Sequence, residues 1–596
     1  MRERSYKFDP LEHRQSLLPI LREVVLLLEQ APPGPLPQSQ LHGALRRYPR
    51  AGKGFFSRSE LIAGYAALAG DAGLSLPLDA FAARLRMRPV RTHSGVTPIT
   101  VLSKPYPCPG RCVFCPNDVR MPKSYLSDEP GCQRAEQNGF DPYLQTYNRM
   151  LALASIGHSV DKVELIVLGG TWSFYPETYQ RWFIKRCFDA INDFGRGVDG
   201  RVEGEAQRFQ LVPLGATAEG RGAASYNRYV ERHLRLLSGE GLLRNFEDAS
   251  WEQLGFAQRD NELAPSRCVG LVLETRPDYV NLAELTRLRR LGCTKVQLGI
   301  QSLSDDVLRQ NKRGHDLATT RSAMALLRGM GFKVLAHFMP NLLGASPAAD
   351  IAGIERMFED EDFRPDELKV YPCSLIATAE LMNFYEVGQW RPYTEQELLD
   401  VLCEVISKTP KYCRLSRVIR DISSGDIVVG NRKSNFREDA ERALDARGIQ
   451  RRDIRSREVA GMAVDPTTLG LSVTRYKAGH GTECFIELVT PADRIAGFCR
   501  LRLSQSSALV ELQGSGIIRE LHVYGPAQGL GQRKGEGAQH RGIGERLMAE
   551  AGRLTREAGF SRLAVISAVG TRAYYRRHGF EDGELYQHLR LTKPAT

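Results

Sequence analysis

The stretch PITVLSKPYPCPGRCVFC (residues 98–115) decides the fold of this 596-residue chain. Its first part, PITVL, is a β-branched run typical of a buried strand. Its last part places Cys108, Cys112 and Cys115 in a C-x3-C-x2-C spacing on the loop that follows. Three thiolates on one short loop can bind three irons of a four-iron, four-sulfur (4Fe-4S) cluster, with the fourth iron left open. The plainer alternatives are an incomplete zinc site or three unrelated core thiols.

Five further runs of the same kind follow this stretch: VELIVLGG (163–170), VGLVLE (269–274), KVQLGI (295–300), KVLAHF (333–338) and ELKVYP (367–372). Helical patterns lie between most of them. This alternation predicts parallel βα repeats with right-handed crossovers. Six units are too few for a closed eight-fold barrel, so we predict an α/β fold with a partial (βα)6 barrel over residues 93–390. Its functional groups should lie at the carboxyl ends of the strands.

We predict that the first 92 residues form a separate, basic helical module. Leucines and valines recur at helical spacing between residues 17 and 28, and the module has 14 Lys or Arg residues against eight Asp or Glu. Basic side chains with interleaved aromatics can bind phosphates and stack on bases. The alternative is a solvated basic face. The candidate RNA contacts are Arg46, Arg47, Arg50, Lys53, Arg84 and Arg86.

Composition narrows the class of protein further. The chain has 81 basic and 70 acidic residues, for a formal charge of +11, and 42% of its residues are apolar. These values indicate a globular protein, and the charge favours a polyanionic partner. No run of about 18 apolar residues occurs, so we expect no membrane span. Of the twelve cysteines, nine are scattered and three are clustered, and this is not the pattern of a disulfide framework. We therefore predict a cytoplasmic protein with reduced thiols.

The last part of the chain, residues 457–596, predicts a second, α+β domain after a basic connector (391–456). Three antiparallel strands lead to a Q-x-x-G-x-G turn formed by Gln539, Arg541, Gly542 and Gly544, which opens a helix. Free N–H groups at a helix start bind pyrophosphate. A short amphipathic helix carrying Tyr574 and Tyr575 follows, and core packing is the alternative role for both rings.

Three stretches of the barrel resemble the radical S-adenosylmethionine superfamily. The cysteine spacing is similar to that of its members, whose open iron binds the methionine part of S-adenosylmethionine. The glycine-rich turn LGGTW (168–172) and the strand ends fall at that superfamily's contacts to S-adenosylmethionine, although Thr171 stands where Glu is common. The resemblance implies these contacts: Gly169, Gly170, Thr171, Glu274, Gln297 and Gln301.

The last domain resembles the GNAT acetyltransferases, and this implies acetyl-CoA as a ligand. Tyr575 falls where many of them have a tyrosine that protonates the departing thiolate, and Tyr574 precedes it. The implied acetyl-CoA contacts are Glu520, Leu521, His522, Val523, Gln539, Arg541, Gly542, Ile543, Gly544, Glu545 and Tyr575.

Together, the two domains resemble the catalytic subunit of Elongator and its stand-alone bacterial and archaeal relatives. Motifs such as LETRPDY (273–279), RELHVYG (519–525) and AVISAVGTRAYYRRHGFE (564–581) are similar to that family. The resemblance implies a tRNA-modifying enzyme that uses acetyl-CoA and a deoxyadenosyl radical to form a carboxymethyl group on C5 of the wobble uridine. It also implies an electron-donor protein. Accessory subunits are compatible with the resemblance but are not implied by it. Lys162 matches a lysine associated with acetyl-CoA, and Lys104 matches a Lys-Pro step near the ligand or RNA.

The chain departs from this family at two places. Arg451 and Ser456 occupy connector positions where many relatives have cysteines, so we predict no structural zinc there. The insertion near residues 195–225 is also atypical and has no functional assignment.

Two other functions compete with the tRNA-modifying enzyme. The first is a protein-lysine acetyltransferase with a structural iron–sulfur domain, and the second is a non-catalytic tRNA-binding scaffold. Neither explains why the open-iron cysteine spacing and the CoA-like turn occur in one chain. If one acetyl group serves both domains, the cleft of the last domain should face the strand ends beyond Cys108–Cys115, with the anticodon loop between them.

Overall fold

The computed structural model describes residues 8–32, 34–50, 54–71, 73–85, 94–202, 220–239, 247–433, 435–459, 462, 464–525 and 542–591. No helix in these ranges is long and apolar enough to cross a membrane. The helices described are α1 (Arg14–Gln30), α2 (Gln38–Arg47), α3 (Arg58–Ala67), α4 (Leu78–Leu85), α5 (Pro130–Gln137), α6 (Pro142–Ala154), α7 (Glu177–Arg196), α8 (Ala223–Gly239), α9 (Trp251–Asn261), α10 (Leu282–Arg290), α11 (Asp305–Gln310), α12 (Leu317–Gly329), α13 (Pro347–Glu359), α14 (Leu381–Glu386), α15 (Glu395–Lys408), α16 (Phe436–Ala446), α17 (Ile454–Arg457), α18 (Ile543–Glu557) and α19 (Arg572–Arg577).

The strands form two large sheets and one small one. They are β1 (Thr97–Leu102), β2 (Lys162–Leu168), β3 (Arg267–Thr275), β4 (Lys295–Gln301), β5 (Lys333–Phe338), β6 (Glu367–Val370), β7 (Leu375–Ile376), β8 (Arg414–Arg417), β9 (Ile427–Val429), β10 (Gly470–Lys477), β11 (Thr482–Val489), β12 (Ile495–Leu503), β13 (Ser515–Val523), β14 (Arg562–Val565), β15 (Glu581–Asp582) and β16 (Gln587–Arg590).

The barrel sheet has the order β1-β2-β3-β4-β5-β6-β8, and every neighbouring pair is parallel. The six strands predicted from the β-branched runs are therefore confirmed, as is the partial barrel. The sheet has a seventh strand, β8, that the sequence did not indicate, because its residues RLSR lack an apolar run. Side chains of alternate residues point into the barrel, as the period of a strand requires.

The amino-terminal module consists of α1 to α4 around its own apolar core. Leu17, Leu21 and Leu28 of α1 are fully buried against Tyr65 and Phe81, whose rings stack at 3.9 Å. Helix α1 is the one that the leucine spacing predicts, and the four helices share this apolar cluster.

The C-terminal sheet has the order β10-β11-β12-β13-β14-β16-β15. Strands β13 and β14 are parallel neighbours, and they pair only from Ser515 to Ile518. Beyond Ile518, residues 520–523 pair with β12 but not with β14, so the sheet opens between β13 and β14. Helix α18 packs over β11, β12 and β13.

The position of the C-terminal domain differs from the expectation that its cleft faces the cysteine loop. It packs against the amino ends of the barrel strands, whereas the cysteine loop follows the carboxyl end of β1. Arg519 of β13 donates to the carbonyl oxygen of Phe332, just before β5, at 2.8 Å. Arg500 of β12 donates to the carbonyl oxygen of Tyr412, just before β8, at 2.7 Å. These contacts join segments far apart in the chain, so no local pattern indicated them.

Candidate active site

One cavity of about 980 Å³ runs through the barrel and joins its two ends. At the carboxyl ends of the strands it is lined by Cys108, Cys112 and Cys115, and at the amino ends by His522 and Tyr575 of the C-terminal domain. The predicted clusters of functional residues therefore share one interior space, although they lie at opposite ends of the barrel.

The three cysteines lie at the opening of this cavity at the carboxyl ends of the strands, here called the mouth. Positively charged side chains surround them there. Arg313, which follows β4, donates to the Sγ atom of Cys112 at 3.0 Å, and Arg276, which follows β3, approaches the same atom at 3.9 Å. A hydrogen bond from the Cys115 thiol, and then the two guanidinium groups, hold the pKa of Cys112 well below its ordinary value although burial opposes this. At Cys112 the environment therefore favours the thiolate, the form that binds iron. The pKa values of the other two thiols are raised, that of Cys115 first by its hydrogen bond to Cys112 and that of Cys108 first by burial.

A third cation lies near these thiols. Lys123 donates to the carbonyl oxygen of Pro116 at 2.8 Å and its charge acts on all three thiols. Three cations thus face three thiols, which suits an anionic iron–sulfur cluster.

The turn after β2 is built for a close approach of backbone to ligand. Gly169 has φ +132°, and a Cβ atom there would lie 2.0 Å from Ser103 Oγ, so no larger residue fits. Gly170 and the buried Thr171 line the cavity directly after it. Gly169 itself does not line the cavity, and contact of this turn with a ligand stays a prediction.

The predicted polar residues of β3 and β4 also line the cavity. Glu274 accepts a hydrogen bond from Tyr125 at 3.0 Å, and burial raises its pKa. Gln301 has φ +72°, and its buried Oε1 has no hydrogen-bond partner among the described residues. An unpartnered buried acceptor beside the thiols fits a bound ligand with hydroxyl or ammonium donors. Gln297 lies deeper in the barrel.

Several functional candidates were missed by the sequence reasoning. Lys123, Arg276 and Arg313 surround the thiols, while His337 and Lys369 line the barrel interior beside Gln297. Their only sequence signal was position: Arg276 and Arg313 follow predicted strands, and His337 and Lys369 alternate with apolar residues along them.

A chain of buried ion pairs, here called the waist network, crosses the cavity where the barrel meets the C-terminal domain. It consists of Glu164, Lys295, Glu367, Lys333, Glu520 and Arg500. Lys295 lies 2.7 Å from Glu164 and 3.2 Å from Glu367, and Lys333 contacts Glu367 at 3.3 Å and also pairs with Glu520. Burial alone would raise the pKa of Glu520, but Lys333 and Arg500 lower it to about 2.

Below the waist network, the opening between β13 and β14 forms a small chamber. The Nε2 atom of His522 is buried without a hydrogen-bond partner among the described residues, and burial lowers the pKa of His522 to about 4. Its ring is therefore neutral at pH 7. Tyr575 is buried and lines the same cavity, and burial raises its pKa. Glu520, Leu521 and His522 of the predicted CoA contacts line this chamber; Val523 ends the same strand.

Helix α18 begins at the outer edge of this chamber. Gly542 is its N-cap, with φ +89° and no side-chain cap, so the first N–H groups, from Ile543 to Glu545, lack an intrahelical acceptor. A Cβ atom on Gly544 would lie 2.7 Å from the Tyr574 hydroxyl. Tyr574 therefore packs against the helix start, whereas Tyr575 faces the cavity. The predicted contacts Gln539 and Arg541 lie outside the described residues.

The two predicted lysines of the barrel occupy opposite ends. Lys162 begins β2, two residues before Glu164 on the same face of the strand, and burial lowers its pKa although Asp161 opposes this. It does not line the central cavity. Lys104 is buried near the cysteine loop, where it pairs with Glu247 and lies 5.0 Å from the Tyr179 ring.

The predicted RNA contacts separate into two groups. Arg46 is exposed, and Arg47 is more than half exposed beside Glu23. By contrast, Arg50 pairs with Glu60 at 2.9 Å and contacts His13, and Arg84 donates to the carbonyl oxygens of Leu28, Ala31, Pro32 and Gly34. The last two side chains hold the module together. Lys53 and Arg86 lie outside the described residues.

The connector positions that lack cysteine have other partners. Arg451 lies 3.2 Å from Glu441 and 3.1 Å from Asp445, and Ser456 donates to the carbonyl oxygen of Asp453 at 2.8 Å. Cys373, Cys403 and Cys413 are buried free thiols.

Comparison with known proteins agrees with this geometry. The model of the Radical SAM superfamily matches residues 221–351, and that of the Radical_SAM C-terminal domain matches residues 365–445. The parallel partial barrel and its cysteine loop thus define a radical SAM protein.

Full-length relatives narrow this class. The tRNA uridine(34) acetyltransferase of Dehalococcoides mccartyi is 36% identical over 84% of this chain and 99% of its own length. Human Elongator complex protein 3 is 34% identical over 83% of this chain and 84% of its own length. A solved structure of Methanocaldococcus infernus Elp3, lacking residues 1–46, superimposes with a TM-score of 0.65 at 32% identity and covers 84% of this chain and 100% of that one. The chain belongs to the family of the tRNA uridine(34) acetyltransferases and Elongator complex protein 3.

Proposed function

We propose that this protein modifies the wobble uridine of tRNA, joining an acetyl-derived carboxymethyl group to C5 by radical S-adenosylmethionine chemistry. The observation that carries the proposal is the single cavity, lined by Cys108, Cys112 and Cys115 at one end and by His522 and Tyr575 at the other. A protein-lysine acetyltransferase would not require the cysteine end of the cavity, and a non-catalytic tRNA-binding scaffold would require neither end.

At the cysteine end, the chain's residues fit a 4Fe-4S cluster and S-adenosylmethionine. The thiols would hold three irons, with Arg276, Arg313 and Lys123 balancing the negative charge. When bound, these groups supply a carbon radical able to take a hydrogen atom. Gly170 gives the ligand access to the turn after β2, and Gln301 offers it an unpartnered acceptor.

At the other end, the C-terminal domain fits acetyl-CoA. The start of α18 has no side-chain cap among the described residues. It suits the pyrophosphate, because the N–H groups at a helix start and the helix dipole favour anions. The opening between β13 and β14 exposes the strand edge at residues 520–523, where the pantetheine amides can pair. Tyr575, which lines this chamber, would give a proton to a departing thiolate, and the neutral ring of His522 would accept a proton from water.

The tRNA partner follows from the family and from the basic module. We propose residues 1–92 as a tRNA-binding module, 93–390 as the radical SAM core, 391–456 as a connector and 457–596 as a GNAT-like domain. Arg46 and Arg47 are the exposed candidates for phosphate contact. An electron-donor protein is required for reduction of the cluster.

Nucleoside mass spectrometry tests this function directly. The purified protein, with an intact cluster, is incubated without oxygen with reductant, S-adenosylmethionine, acetyl-CoA and a full tRNA pool. We expect carboxymethylated uridine, which disappears when any one component is left out. Absence of the modified nucleoside across the whole pool would contradict the proposal, and acetylation of protein lysines instead would favour a lysine acetyltransferase.

A further inference from the structure

The two ends of the central cavity are too far apart for one bound acetyl group to serve both. On β4, Lys295 lies in the waist network and Gln301 lies at the mouth beside the cysteines. Strand geometry separates these two residues by about 20 Å. Hydrogen transfer requires reacting atoms to approach within about 3–3.5 Å. The acetyl unit must therefore travel through the barrel before it can react.

The waist network favours a small anion as the species that travels. Lys295 and Lys333 each face two carboxylates, so a third carboxylate can exchange with one of them without leaving a bare charge. An uncharged pantetheine arm would instead separate these buried ion pairs and leave their charges without a partner, which is costly. The passage thus suits free acetate better than acetyl-CoA itself.

A receiving site for a carboxylate lies between the waist and the mouth. The ammonium group of Lys369 is 2.5 Å from Gln297 Oε1, and the ring of His337 contacts the same oxygen through Nε2 at 3.0 Å. Because an ammonium group only donates, it fixes which end of the Gln297 amide is oxygen. The Nε2 donors of Gln297 are left without a partner among the described residues, beside an ammonium group with unused hydrogens.

Lys369 is distinct among the barrel lysines. Lys295 and Lys333 form ion pairs, whereas Lys369 lies within ion-pair distance of no carboxylate among the described residues, although its charge acts on Glu274. Lys369 also lines the cavity. Lys369 is half-buried, and a cation in such a cavity beside free amide donors can bind a carboxylate through charge-assisted hydrogen bonds. A two-carbon acid held there would direct its methyl group away from the lysine, along the cavity.

We propose that Lys369 and Gln297 bind acetate, so that Gln297 contacts acetate and not S-adenosylmethionine as the resemblance implies. Acetate released in the C-terminal chamber reaches them through the waist network. This inference rests on the proposed function and deepens it. In the chamber, a water oxygen bonds to the acetyl carbonyl carbon as the carbon–sulfur bond breaks. The thiolate takes a proton through Tyr575 and leaves as free coenzyme A, while the acid formed gives its proton to solvent and becomes acetate.

Equilibrium dialysis of radiolabelled acetate against the full-length protein with its cluster tests the site. We expect Lys369→Gln to weaken acetate binding at least tenfold and Lys369→Arg, which keeps the charge, to weaken it less. Lys408→Gln, at an exposed lysine paired with Glu355, is the matched control and should change it less than twofold. The thermal midpoint and S-adenosylmethionine binding of Lys369→Gln should equal those of the wild type.

Two results would overturn the inference. One is wild-type acetate binding no tighter than that of Lys369→Gln. The other is an equal loss of S-adenosylmethionine and acetate binding in that variant, which would assign Lys369 to the other ligand. Failure of the proposed function is seen separately: a wild type that modifies tRNA but does not bind acetate rejects only the acetate site, and one that never modifies tRNA rejects the function.

Discussion

Arg519 of the C-terminal domain donates to both carboxylate oxygens of Asp366, the residue before β6, at 2.5 and 2.7 Å. Both side chains are at least 99% buried, and Arg519 also pairs with Glu483 at 3.1 Å. The pair crosses the junction of the barrel and the C-terminal domain. It therefore fixes the orientation that places the chamber of Tyr575 at the foot of the barrel.

Arg519→Met should destabilise the protein strongly, because it leaves Asp366 and Glu483 buried with fewer positive partners. We expect a loss of about 3–5 kcal/mol in the free energy of unfolding, measured by urea denaturation. Arg196→Met is the control, since it breaks an exposed two-oxygen pair with Asp260 and should cost about 0–1 kcal/mol. Equal effects of the two variants would show that the domain junction does not depend on this pair.

Arg46→Glu combined with Arg47→Glu should weaken tRNA binding without altering acetyl-CoA binding. Both side chains are exposed on the basic module, so charge reversal removes phosphate contacts and adds repulsion. The slope of log binding constant against log salt concentration should fall by about 2. Arg84→Gln is the contrasting variant: it should lower the thermal midpoint, because four carbonyl oxygens lose their donor, and leave the salt slope unchanged. An unaltered slope in the double variant would give the module a structural role.

The sequence predicted what local patterns can encode. The β-branched runs located six of the seven barrel strands, and the cysteine spacing identified the mouth of the cavity. Positive charge alone could not show that Arg46 is exposed while Arg84 has a structural role. The partners of Arg84 are backbone carbonyl groups some 50 residues earlier in the chain. The distinction needs tertiary structure.

The relative position of the domains was also beyond sequence reasoning. Arg519 and Asp366 are 153 residues apart, and each lies in a segment whose local pattern is merely that of a strand. We expected the cleft of the C-terminal domain to face the cysteine loop, because one acetyl group was assumed to react at both. The structure instead connects these two sites through the interior of the barrel. The sequence did not indicate Lys369 either. Its proposed role depends on the absence of an ion-pair partner among the described residues, and only the tertiary structure shows this.

Cys112→Ser should abolish cluster assembly while leaving the fold intact. A hydroxyl is a much poorer ligand for iron than a thiolate, and the site has three thiols to begin with. Iron content and visible absorbance after anaerobic reconstitution measure the loss. Cys403→Ser, at a buried thiol between α15 and α16, is the matched control and should load iron like the wild type. A fully loaded Cys112→Ser protein would refute the assignment of the cysteine loop.

Gly542→Glu should abolish acetyl-CoA binding, because it places a carboxylate at the helix start where we propose the pyrophosphate binds. Nothing in the described part of the chain lies within 4 Å of a Cβ atom at this position, but its φ of +89° strains most side chains. Gly542→Asn separates the two effects, since Asn tolerates left-handed backbone and carries no charge. We expect the dissociation constant of coenzyme A to rise more than tenfold for Glu and far less for Asn. Iron content and S-adenosylmethionine binding should survive in both, because those groups belong to the opposite end of the barrel. Equal losses in the two variants would point to backbone strain, and normal binding in the Glu variant would remove the pyrophosphate from α18.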